Sequence, residues 1–159
     1  MKFSARLGFG AAALVPLAAV GAALVTQHVF DMQPCPWCVL QRLIFVSISL
    51  VAICGLLIRL PVARRASAGL MLALAACGVS AALWQHFVAA ASASCKQTLA
   101  DIIVSGLQVD ALLPEVFQAR ASCADAAVNL AGVPYEFWSL ALFTVIAAAA
   151  LRLAVLRSG

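Results

Sequence analysis

Hydrophobic and polar positions along this chain alternate on a scale much longer than a helical turn: long apolar runs are separated by short polar interruptions. The first run, Leu7 to Phe30, carries no formal charge. The second, about Pro36 to Ile58, holds only Arg42, and the third, Ala66 to Cys95, holds none. The last extends from Glu136 to Leu156 and is closed by Arg152 and Arg157. Each is long enough to cross a hydrocarbon core ~30 Å thick, which takes ~20 residues. The pattern predicts spans at about 7–29, 36–58, 67–89 and 136–156, with outer loops at about 30–35 and 90–135. The fold class expected is an all-α integral membrane protein, a four-transmembrane-helix bundle in one domain.

Finer features qualify that plan. A basic start before an apolar run also fits a cleaved signal peptide. The run is longer than a signal core and shows no small-residue cleavage site before Asp31, which favours a span. Gly8, Gly10 and Gly21 are expected to let helices approach closely. Arg59-Leu60-Pro61-Val62-Ala63-Arg64-Arg65 reads as a tight basic loop with a proline stop. In the long loop, Leu99, Ile102, Ile103 and Leu107 recur near helical spacing, and Leu112, Leu113, Val116 and Phe117 form a second apolar cluster. That segment reads either as a short membrane-associated helix or as a loop helix packed on the bundle.

Composition agrees: 65% of residues are hydrophobic and 10% charged, against roughly a quarter charged in a soluble domain. The basic residues sit at the ends of apolar runs, which excludes a nucleic-acid-binding patch. Their distribution sets orientation. Lys2, Arg6, Arg59, Arg64, Arg65, Arg152 and Arg157 fall on one side, and the acids Asp31, Asp101, Asp110, Glu115, Asp125 and Glu136 on the other. Positive residues stay cytoplasmic, so both termini are expected inside and both cysteine-bearing loops on the outer, oxidising face.

The candidate chemistry lies in the cysteines. Cys54 and Cys77 fall inside apolar runs and read as small buried hydrophobes. Cys35 and Cys38 flank Pro36-Trp37 where the second span begins, and Cys95 and Cys123 bracket the long loop. Pro36 suits the first helical position, so both sulfurs of the first pair are expected near free backbone N–H groups that favour thiolate. Cys38 lies about one turn deeper at ~1.5 Å per residue, so Cys35 is expected to face the aqueous loop and Cys38 the lipid side. Arg42, at i+4 from Cys38, shares its face. An intramembrane arginine reads as a stabiliser of anionic sulfur and of a carbonyl gaining electron density, or as a side chain snorkelling to headgroups. The first pair alone could also be a static disulfide or half a metal site, and the second a structural staple. Together the four thiols suggest a relay to a lipid-soluble electron acceptor, because thiol–disulfide exchange passes through mixed disulfides. A soft-metal-binding membrane transporter and a structural protein with static loop disulfides are the alternatives.

These features together resemble the disulfide bond formation protein B (DsbB) family of bacterial inner-membrane quinone reductases. The resemblance rests on Cys35-Pro36-Trp37-Cys38 opening the second span, on Gln41-Arg42, and on Cys95 and Cys123 in the outer loop. It also rests on the passage from Cys123-Ala124-Asp125 through Leu130-Ala131-Gly132-Val133-Pro134 to Trp138. It implies a thiol:quinone oxidoreductase in the inner membrane that reoxidises a periplasmic DsbA-like thiol oxidase and passes electrons to ubiquinone or menaquinone. By resemblance, Cys95 would form the mixed disulfide with the partner, Cys123 would resolve toward Cys35, and Cys38 would engage the quinone beside Arg42. His86 would match a histidine lining the quinone pocket, or stand as an ordinary interfacial histidine; Gln85 and Trp84 share that ambiguity.

Overall fold

The computed structural model describes residues 5–58, 60–91 and 97–155. Cys95 therefore lies outside the described residues, as do Lys2, Arg59 and Arg157 of the orientation pattern. Four helices are long and apolar enough to cross a membrane: α1 (Ala5–Val29), α2 (Pro36–Leu57), α3 (Pro61–Trp84, continued by a π-helical turn at Gln85–Ala89) and α7 (Tyr135–Val155). Between α3 and α7 come the short helices α4 (Leu99–Gly106), α5 (Val109–Leu112) and α6 (Pro114–Phe117), then a two-stranded hairpin of β1 (Asn129–Leu130) and β2 (Val133–Pro134).

Pro61 starts α3 where the sequence suggested a stop, so the helix begins before position 67. A proline at N1 forfeits an N–H that has no intrahelical partner anyway, and its fixed φ suits a helix start. Helix α4 begins with a reciprocal cap. Thr98 Oγ1 accepts from the Asp101 N–H, and Asp101 Oδ2 accepts from the Thr98 N–H at 2.8 Å. In the hairpin, Leu130 pairs with Val133, and the linking Ala131 and Gly132 both have positive φ, as a tight two-residue hairpin turn requires.

The bundle packs α1 on α2, α2 on α3 and, most extensively, α3 on α7, while α1 and α7 touch only lightly. Its core runs through Phe9, Phe45, Ile48, Met71, Ala75, Phe143 and Ile146, with Phe45 stacked on Phe143 at 4.1 Å. The glycines that permit close approach are not Gly10 and Gly21, around which a Cβ would meet nothing within 4 Å. They are Gly55, where a Cβ would strike Phe9, and Gly78, where it would strike Phe143. Small residues matter only where an aromatic ring crosses them, and the sequence does not say which glycines those are.

The segment between α3 and α7 is not a free tether. Ala100 and Val104 on α4, with Phe117 on α6, bury against α2 around Val39, and the Arg120 and Ala121 N–H groups donate to the Pro34 carbonyl at 2.9 and 3.2 Å. The larger apolar side chains of the segment, Leu99, Ile102, Leu107, Leu112 and Leu113, remain exposed as an apolar ridge. The reading of a loop helix packed on the bundle therefore holds, while the larger apolar side chains of α4 stay exposed.

Candidate functional site

Cys35 is the N-cap of α2, with extended backbone, and its Sγ accepts from the Cys38 N–H at 3.3 Å. Its Sγ lies 2.7 Å from that of Cys38 and within hydrogen-bonding reach of Cys123 on the folded-over loop. Three sulfurs thus form one row, with Cys35 in the middle. The loop also corrects the expectation that Cys35 faces water: Cys35 is 0% exposed and Cys123 7%. The segment that carries Cys123 hangs from the Pro34 carbonyl directly before the motif, so it roofs the cysteine.

The electrostatics of the row are asymmetric. Sulfur neighbours on both sides that use the Cys35 proton, together with burial, hold its thiol well above the ordinary range. The expected thiolate at Cys35 is thereby reversed, because a helix N-terminus cannot offset a missing water shell and two competing sulfurs. Cys123 moves the other way. The Cys35 hydrogen bond and the Trp37 backbone N–H both stabilise its anion and lower its pKa, against a smaller burial effect.

Cys38, by contrast, faces a cavity of about 510 Å³ between α1, α2 and α7, at the seam where α1 and α7 touch least. Its wall is mostly aliphatic, from Ala19, Val20, Ala23, Leu142 and Val145, with a cluster of polar groups from Cys38, Gln41, Arg42, Gln85, Tyr135 and Glu136. Gln85 donates to Cys38 Sγ at 3.3 Å and accepts from Gln41 at 2.7 Å. The π-helical turn that starts at Gln85 re-aims the end of α3, so that Gln85 reaches the cysteine while His86 turns to Glu136.

Arg42 is 6% exposed, so it does not snorkel. Its guanidinium donates to Gln27 Oε1 at 2.7 Å, to the Val116 carbonyl at 3.0 Å and to the Ala23 carbonyl at 3.4 Å. All three acceptors are neutral, and among the described residues no carboxylate lies within ion-pair distance. A buried cation without a counterion is costly. Here it lines the same cavity as Cys38, where an anionic sulfur or an electron-rich oxygen would be stabilised. Arg42 also ties the outer loop to the bundle through Val116, as Gln27 does by donating to the Glu115 carbonyl at 3.2 Å.

Over this geometry, the family model described as "Disulfide bond formation protein DsbB" matches residues 5–153. The chain belongs to the DsbB family. Relatives named disulfide bond formation protein B include those of Aromatoleum aromaticum, 32% identical over 99% of this chain and 96% of the relative, and Ralstonia nicotianae, 32% identical over 99% and 98%. That of Herminiimonas arsenicoxydans is 32% identical over 86% of this chain and 87% of its own. Membership makes the chain a multi-pass membrane protein of disulfide bond formation with a thiol oxidoreductase role.

Against the sequence reading of this DsbB-family chain, the structure brings together Cys35, Cys38, Cys123 and Arg42. His86 is set one residue behind the cavity wall, its Nδ1 2.6 Å from Glu136 Oε1. Cys54 and Cys77 are exposed on the spans, not packed inside. Sequence reasoning missed Gln27 and Glu136. Gln27 is an uncharged polar residue 2% exposed within an apolar run, which was the available signal. Glu136 read only as an outer-side charge, yet it is 4% exposed.

Proposed function

We propose that this protein is a thiol:quinone oxidoreductase of the bacterial inner membrane that reoxidises a periplasmic DsbA-like thiol oxidase. Its termini would be cytoplasmic and its redox cysteines periplasmic, as the Lys/Arg distribution argues. The observation that carries the reading is the row Cys123–Cys35–Cys38 ending at an apolar cavity that also holds a buried arginine with no carboxylate partner among the described residues. A staple or a metal site has no use for that cavity.

Electrons would enter when a partner thiolate attacks Cys95 of a Cys95–Cys123 disulfide, forming the partner–Cys95 disulfide and releasing Cys123 as thiolate beside the Trp37 backbone N–H. Attack of Cys123 on Cys35 then breaks the Cys35–Cys38 disulfide, forms Cys35–Cys123 and releases Cys38 as thiolate. A second partner thiolate attacks the mixed disulfide at its own sulfur and frees Cys95. Cys95 then takes Cys123 back and leaves the Cys35–Cys38 pair reduced. The residues fit a ubiquinone or menaquinone ring: Arg42, Gln41 and Gln85 supply polar contacts, and the aliphatic walls and the α1/α7 seam suit an isoprenoid tail coming from the bilayer. When bound, a quinone accepts two electrons and two protons, which returns the pair to its disulfide.

The test is purified protein supplied with quinone and a reduced thioredoxin-fold oxidase, with quinone absorbance followed over time. Steady quinone loss coupled to partner oxidation is expected, and Cys38→Ser is expected to abolish it. Undiminished loss in Cys38→Ser would overturn the reading.

A further inference from the structure

Glu136 stands at the start of α7, 4% exposed, on the cavity wall facing the seam between α1 and α7. Its two carboxyl oxygens have different surroundings. Oε1 is 2.6 Å from His86 Nδ1, while Oε2 is buried with no hydrogen-bond partner among the described residues. A buried carboxyl oxygen left unpaired is expensive, so its presence asks for a ligand or a proton. The His86 side chain is 32% exposed and is held between Phe87 and Phe137, at 4.8 and 4.7 Å. The imidazole–carboxyl contact therefore links the part-exposed His86 to a residue on the wall of the cavity that Cys38 faces.

The other ionisable groups on that cavity do not offer the same service. Arg42 is a fixed cation, Cys38 is an electron donor, and the Tyr135 hydroxyl lies 3.3 Å from the Thr26 hydroxyl. Within membranes, chains of carboxyl and imidazole groups are characteristic proton carriers.

We propose that Glu136 donates a proton to the quinone as it is reduced and is reprotonated from outside through His86. The inference rests on the quinone reading above. Its balance is closed: the Cys38 thiolate and the Cys35 thiol supply two electrons and one proton, and the Glu136 carboxylic acid supplies the second proton. The products are the Cys35–Cys38 disulfide, a hydroquinone and a Glu136 carboxylate. A proton taken up at the exposed imidazole edge then crosses the short contact to Oε1. Glu136 thus has a chemical task and His86 a positioning and feeding one.

The experiment compares Glu136→Gln, Glu136→Asp and His86→Gln with the unaltered protein, all in the full membrane protein. At saturating quinone, Glu136→Gln should slow turnover roughly a hundredfold, the scale of a lost general acid, with quinone KM within about twofold if binding is unchanged. Glu136→Asp should recover part of that rate, and His86→Gln should slow turnover most at high pH, where proton supply is scarcest. Imidazole nitrogen NMR on quinone-free protein gives a readout independent of turnover: the His86 Nδ1 signal should report the hydrogen bond to the Glu136 carboxyl group and shift in Glu136→Gln, and an unaltered signal would remove the supply route through His86. Unchanged turnover in Glu136→Gln, or a raised KM at constant kcat, overturns the proton role while leaving the functional reading intact. If Glu136→Gln does not fold, a His86→Gln enzyme with an unaltered rate and pH profile overturns it equally. Failure of the unaltered protein to reduce quinone would overturn both readings together.

Discussion

At Cys35 a single residue does three structural jobs: it caps α2, donates to Cys123 and contacts Cys38. Its proton is shared among sulfurs, which is why its own pKa rises while that of Cys123 falls. An ordinary cysteine titrates near ~8.5. In the reduced protein, alkylation by a small reagent should therefore begin at Cys123 below that pH, with Cys35 silent until well above it; site-resolved mass spectrometry across pH checks the order. Cys35→Ala should move the onset of Cys123 alkylation to higher pH, because the main hydrogen bond to its anion is gone and burial remains. Equal onset at both cysteines would show that the hydrogen bond in the row runs differently. That the helix starts at the motif, with Cys38 inside it and Cys35 at its cap, was legible in the sequence from the proline. The burial of Cys35 was not, since it depends on a loop distant in sequence returning to the Pro34 carbonyl. Nor was the partner of His86, because no local pattern connects α3 to an acid at the head of α7.

At the scale of elements, helices whose apolar residues lie all round are positioned by where they can come close, not by an amphipathic stripe. Gly78 lies under the Phe143 ring, and Phe143 is stacked on Phe45, so α2, α3 and α7 meet at one point. Gly78→Ala should lower stability by about 1–3 kcal/mol, as overpacking does, whereas Gly10→Ala should stay within about 0.5 kcal/mol. Thermal unfolding in one detergent compares the two, and equal effects would mean that the α3–α7 contact is not tight. The helix spans themselves were readable from run length and charge punctuation alone. What run length could not convey was the π-helical turn at Gln85–Ala89, which directs Gln85 and His86 to different neighbours, or the use of Pro61 as a start.

For the whole molecule, the loose α1/α7 seam and the tight loop roof give the site two different boundaries: a lightly packed helix seam on the flank and folded protein over Cys35. In the proposed function such an arrangement would serve transfer between a soluble thiol protein and a lipid-borne acceptor, with Cys35 as the point through which both halves would exchange. That exchange point is the central claim, and disulfide mapping of a Cys38→Ser/Cys95→Ser variant addresses it most directly. With Cys38 unable to close the α2 pair and Cys95 unable to hold Cys123, oxidised protein should carry a Cys35–Cys123 disulfide, recovered as a linked peptide under non-reducing digestion. Recovery of Cys35 and Cys123 as free thiols would contradict it.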